Sequence, residues 1–167
     1  MRETPGAPDL DALRRISLFG ALSLDEVGLV RGLMEERSFE PGALLVREGT
    51  PGRELYVLES GHCEVLKHNS DDRDVKIAEL AAGAVFGEMA LIGILPRSAT
   101  VRALSPVKAL VLPYQKVTAL SKEHLQTFTI LVMNLARDIC RRLYQADALL
   151  GEFNIDRGEG GKGDDGE

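Results

Sequence analysis

The sequence predicts a mainly β fold with flanking helices: an antiparallel, jelly-roll-like β-roll between an N-terminal helical motif and a long C-terminal helix. Three observations carry that expectation. From Arg37 to Leu112, short apolar runs alternate with turn residues at near-regular intervals, as they do in antiparallel sandwiches and barrels. Two short helical patterns precede them. A stripe of apolar residues stepping by three or four follows them, over residues 122–150.

Asp9 is placed to cap a short helix that keeps Leu10, Leu13 and Ile16 on one side. Ser23-Leu-Asp-Glu26 is a capping box, with Leu22 and Val27 set around it as a hydrophobic staple. The helix it opens is expected to reach Glu36 and to bury Val27, Val30, Leu33 and Met34. Strands are expected over residues 44–47, 54–58, 62–66, 75–80, 98–104 and 107–112. Pro41-Gly42, Thr50-Pro51-Gly52, Ser60-Gly61, the run 69–74 and Ala82-Gly83 punctuate them.

Ser121 reads as the N-cap of the last helix, which opens at Lys122. Leu125, Phe128, Val132, Leu135, Ile139, Leu143, Ala146 and Leu150 form its apolar stripe, with Arg137, Asp138, Arg141, Arg142 and Gln145 on the other side. Such a helix is about 42 Å long at 1.5 Å per residue. That exceeds what a roll of this size covers, so its distal half is expected to meet another chain or the ligand pocket. The stripe departs from a strict heptad between Ile139 and Leu143. Residues 1–8 and the acidic, Gly-rich residues 151–167 are expected to be disordered ends around one domain, 9–150.

Composition limits the partners. The chain has 167 residues and a net charge of −6, so nothing draws its whole surface to nucleic-acid phosphates, and none is expected to bind this chain alone. No apolar run approaches a membrane span, and the first residues lack an apolar h-region. Cys63 and Cys140 stand far apart in no metal-like spacing and read as reduced thiols. A cytoplasmic location, without membrane contact, is the expectation.

Residues 86–101, Phe-Gly-Glu-Met-Ala-Leu-Ile-Gly-Ile-Leu-Pro-Arg-Ser-Ala-Thr-Val, organise the rest. Gly87 lets a ligand approach the backbone closely, and Glu88 to Leu91 are good helix formers. Main-chain N–H groups at the start of a helical turn favour an anion. Pro96 stops the helix, and Arg97 follows with a guanidinium that can grip a phosphate by two parallel bonds. N–H groups, a carboxylate and a guanidinium in one segment suit a small phosphate ester that carries a hydroxyl, such as a phosphorylated sugar.

This stretch resembles the phosphate-binding cassette of the cyclic-nucleotide-binding domain family, found in regulatory subunits of cAMP-dependent kinases, gated channels and bacterial catabolite activators. The resemblance implies that Glu88 accepts the ribose 2′-hydroxyl and Arg97 pairs with the cyclic phosphate. It also puts Gly87, Met89, Ala90, Ser98 and Ala99 in the cassette, with Gly87, Ala90, Ser98 and Ala99 reaching the phosphate through N–H or hydroxyl groups. Residues 16–23, Arg-Glu-Gly-Thr-Pro-Gly and Leu-Tyr-Val-Leu-Glu-Ser-Gly resemble further parts of that family, so the likeness covers residues 13–143.

What the resemblance implies is a regulatory sensor without catalysis, cofactor or metal, which couples ligand binding to movement of its last helix. The same helix is a candidate surface for a homodimer or a partner protein. Family frequency alone puts cAMP before cGMP, since Glu88 and Arg97 do not see the base. Groups that do are expected in residues 75–80 and in the last helix. Two alternatives stand beside this reading. One is a degenerate module that binds no nucleotide and acts through protein contacts. The other is a cupin-like metal enzyme, with His62, Glu64 and His68 sharing a strand face.

Overall fold

The computed structural model describes residues 9–92 and 95–158. The expected loose residues 1–8 and the last nine residues of the expected tail lie outside the described residues.

Among the described residues, eight antiparallel strands build two four-stranded sheets. The first has the order β1-β8-β3-β6: β1 (Glu35–Phe39), β8 (Val107–Pro113), β3 (Glu54–Ser60) and β6 (Val85–Phe86). The second has the order β2-β7-β4-β5: β2 (Leu44–Val46), β7 (Thr100–Ala103), β4 (Cys63–His68) and β5 (Asp74–Leu80). Alternation along β3 explains why the first sheet is apolar on both faces. Leu55 and Val57 point to the helices, where they join Leu110, Leu112 and Val85 in one core. Tyr56 and Leu58 point into the roll and meet Phe86, Val101, Ala103, Ala109 and Val111. The second sheet turns its other face to solvent, and six of the seven residues of its edge strand β5 are exposed.

The helical layer is α1 (Leu10–Arg14), a 3-10 turn (Ser17–Phe19), α2 (Leu24–Leu33), α4 (Tyr114–Glu123) and α5 (Leu125–Gly158), with α3 (Glu88–Ile92) between β6 and β7. Asp9 caps α1 through Ala12 N–H at 3.0 Å, and the Ser23–Glu26 capping box forms as expected. Leu22 and Val27, its staple, are fully buried.

Four expectations need correction. The second helix stops at Leu33, and residues 35–39 form strand β1 against β8 instead of a last helical turn. Ser121 is no N-cap: it lies inside α4 and donates to Thr118 O at 2.7 Å, while the helical run is interrupted at His124 before α5 begins. The inward face of α5 runs through Thr127, Leu131, Asn134, Leu135 and Asp138, whereas Leu125, Leu143 and Leu150 of the expected stripe are exposed. The helix also runs through residues 151–158, past its expected end at Leu150.

Polar groups dock the first half of α5 on the N-terminal motif. Asn134 Nδ2 donates to Leu18 O (2.9 Å) and Gly20 O (2.7 Å), Ser17 Oγ to Asp138 Oδ2 (2.6 Å), and Thr127 Oγ1 to Glu26 Oε1 (2.9 Å). These bonds fix where α5 passes the roll. One turn beyond Asp138 it reaches the cassette.

Candidate functional site

Between α3, β5, β7 and α5 lies a cavity of about 500 Å3, within the size range of small-ligand sites. Gly87, Glu88, Met89, Arg97, Ser98 and Ala99 line it. Ala90 lies in α3, but its side chain is outside the described residues. The opposite wall is Ile77, Ala78, Glu79 and Leu80 of β5, with Arg142 and Gln145 of α5.

Arg97 is held from three sides. Its main-chain N–H donates to Thr50 O and its carbonyl accepts from Gly49 N–H, both at 2.9 Å. Its guanidinium donates to Glu54 O (Nη2, 3.0 Å) and Gly87 O (Nη1, 3.4 Å) and lies 5.6 Å from the Tyr56 ring centroid, within cation–π range. Gly87 makes room for it: the backbone there has φ +89°, and a Cβ would fall 2.5 Å from Arg97 Nη1 and 2.7 Å from Glu54 O.

Arg97 is only 7% exposed, and among the described residues it forms no salt bridge. Burial pushes its pKa below the ordinary arginine value, while Tyr56, Glu54 and Glu88 pull the other way. It stays a cation at neutral pH, neutralised by no carboxylate contact. A buried charge in that state is suited to an anion from outside the chain.

Glu88 is 4% exposed, and its two oxygens differ. Oε1 accepts from Arg142 Nη1 at 2.7 Å. Oε2 is buried and, among the described residues, has no hydrogen-bond partner. Arg142 also donates through Nη2 to Val85 O, so one α5 side chain spans the cassette and the strand before it. A carboxylate oxygen without a donor is costly inside a protein, and a ligand hydroxyl would supply one. Sequence reasoning missed Arg142 and Gln145 because they fall on the polar side of the apolar stripe; the 127–131–134–138 face continues straight to them.

The residues proposed for a metal stand apart. His62 precedes β4, Glu64 is paired with Arg102 (2.6 Å), and His68 lies between Asp72 and Asp74 at 3.1 Å each. Among the described residues no group of three such side chains is placed to hold an ion.

A roll interrupted by a short helix, with a long helix over a charged cavity, defines a small-ligand-binding module. The particular kind follows from comparison. Residues 36–124 match the family model described as the cyclic nucleotide-binding domain, and this chain belongs to that family. The family is one of binding domains, of the kind that regulatory subunits carry. A cyclic nucleotide-binding domain from Methylobacillus flagellatus superposes with a TM-score of 0.77 at 28% identity, covering 86% of this chain and 81% of that one.

A cAMP-dependent protein kinase regulatory subunit of Debaryomyces hansenii is 36% identical over 97 residues, 58% of this chain and 21% of that protein. Glutaminase 2 of Bradyrhizobium diazoefficiens is 33% identical over 132 residues, 79% of this chain and 20% of that protein. The chain thus spans about a fifth of the length of these curated relatives. Among the described residues no helix is long and apolar enough to cross a membrane.

Proposed function

We propose that this domain, residues 9–150, binds a purine cyclic nucleotide in the cassette cavity, cAMP in preference to cGMP, and transmits the binding through α5. The observation that carries the reading is the pairing, in one cavity, of a buried guanidinium without a carboxylate contact and a buried carboxylate oxygen without a donor. Arg97 takes the phosphate, with N–H groups from Gly87 to Ala90 and the Ser98–Ala99 segment beside it. Glu88 Oε2 takes the ribose hydroxyl. The base lies toward Ile77–Leu80, Met89 and Gln145. Similarity to regulatory subunits of cAMP-dependent protein kinases favours cAMP.

Coupling to α5 follows from the shared carboxylate. A ligand that orders Glu88 through Oε2 also orders the partner of Arg142 on Oε1, so it gains affinity in the state where α5 is docked. Beyond Arg142 the helix exposes Leu143, Tyr144, Leu149 and Leu150, and self-association through that half belongs to the same reading. The cytoplasm is the compartment it assigns, where the exposed, free Cys140 stays reduced.

Side-by-side calorimetric titration with cAMP and cGMP tests this reading. The expected result is one site per chain with tighter binding of cAMP. No heat and no thermal shift with either nucleotide leaves a module that acts by protein contacts alone.

A further inference from the structure

Beside the guanidinium of Arg97 stands Glu54, an acidic residue whose side chain could have neutralised it. The main-chain carbonyl of Glu54 already accepts from Arg97 Nη2, which places the Glu54 carboxylate within side-chain reach of the same cation. It is turned away. Arg37, on β1, reaches across the intervening β8 and grips it with two bonds, Nη2 to Oε1 at 2.6 Å and Nη1 to Oε2 at 3.1 Å. Tyr56, two residues along β3 and on the same face, donates its hydroxyl to Oε2 at 2.7 Å while its ring lies under Arg97. Stacking on Phe86, at 5.0 Å between centroids, fixes that ring in turn.

We infer that Arg37 is a positioning residue of the nucleotide site: by clamping Glu54 it keeps that carboxylate off Arg97 and leaves the guanidinium open to a phosphate. The inference rests on Arg97 being the phosphate partner. Two bonds to a planar fork hold the carboxylate in one orientation, which a single neutral hydroxyl does not. Without Arg37, Glu54 has an unpaired charge beside a buried cation. If it swings, it occupies Arg97; if it stays, its uncompensated field still opposes an incoming anion. The small ring of contacts Arg37–Glu54–Tyr56–Arg97 therefore sets how much positive charge the cavity offers.

A double-mutant cycle on the full chain tests this, with cAMP as the probe and calorimetry as the readout. Arg37→Ala is expected to weaken binding about tenfold or more when Glu54 is present, but less than about threefold in an Glu54→Gln background. Arg37→Gln, which keeps most of the stem, is carried in parallel so that a folding defect in one variant does not mask the comparison. Equal losses in both backgrounds overturn the inference, because Arg37 would then act on the fold and not through Glu54. No loss in either overturns it too. If the wild-type chain binds neither cAMP nor cGMP, the functional reading fails first and this inference falls with it.

Discussion

A methyl group at position 87 has no space. It would lie against the Arg97 guanidinium and the Glu54 carbonyl at less than van der Waals distance, on a backbone whose φ of +89° already disfavours any side chain. Gly87→Ala is therefore expected to cost about 1–3 kcal/mol of stability and to displace Arg97. Calorimetry should then show cAMP affinity reduced about tenfold or more; unchanged affinity would mean that Arg97 does not need its observed position.

Glu54 gives a pH dependence at the same scale. Burial alone would raise its pKa, but the hydrogen bonds from Arg37 and Tyr56 outweigh burial and hold it below the ordinary 4.5. Tyr56 is pushed up to about 12, by burial first and then by its bond to Glu54. A carboxyl lowered by folding stabilises fully above its unfolded value, and that contribution is lost as pH falls through the folded one. Urea melts between about pH 5 and pH 3 should show wild type losing more stability than Glu54→Gln. Parallel losses would remove the clamp. Legibility at this scale followed chemistry. That Arg97 and Glu88 share one cavity was readable because their neighbours repeat a long motif, whereas Arg37 and Arg142 make their contacts across strands or helices, which no local pattern encodes.

At the scale of elements, helix α5 is held by polar contacts more than its apolar stripe suggested. Asn134 satisfies two carbonyls of the 3-10 turn, so Asn134→Ala leaves both without that donor. A loss of about 1–3 kcal/mol in denaturant unfolding is expected, and a change within error would show that water replaces the amide at no cost. The same contacts explain where the sequence misled. Hydrophobic periodicity pointed to Leu125, Val132 and Leu143, but Thr127, Asn134 and Asp138 face inward because the N-terminal motif offers them hydroxyl and carbonyl partners. Strand β1 was invisible for a related reason. Its residues Glu-Glu-Arg-Ser-Phe carry charges along a sheet edge, and Met34 continues the helical step just before them. By contrast, the capping box and the turns were legible because their chemistry is local.

For the whole molecule, the central relation is between the cavity and the long helix that passes it. The mainly β roll and its family could be read from strand spacing and the cassette together; the break at His124 could not, since nothing local marks it. Arg142 is the point where helix and cassette meet. Arg142→Ala is expected to weaken cAMP binding and to speed amide exchange in the second half of α5, both in the ligand-free protein and in the complex. Exchange that stays the same in that segment would separate the helix from the site.

The most direct test compares the cAMP affinity of the wild-type chain with that of Arg97→Lys by calorimetry under identical salt. A point charge in place of the planar fork should weaken binding at least about tenfold while the fold survives. Equal affinity in the two proteins would contradict the account, because the phosphate would then be bound somewhere other than the buried guanidinium.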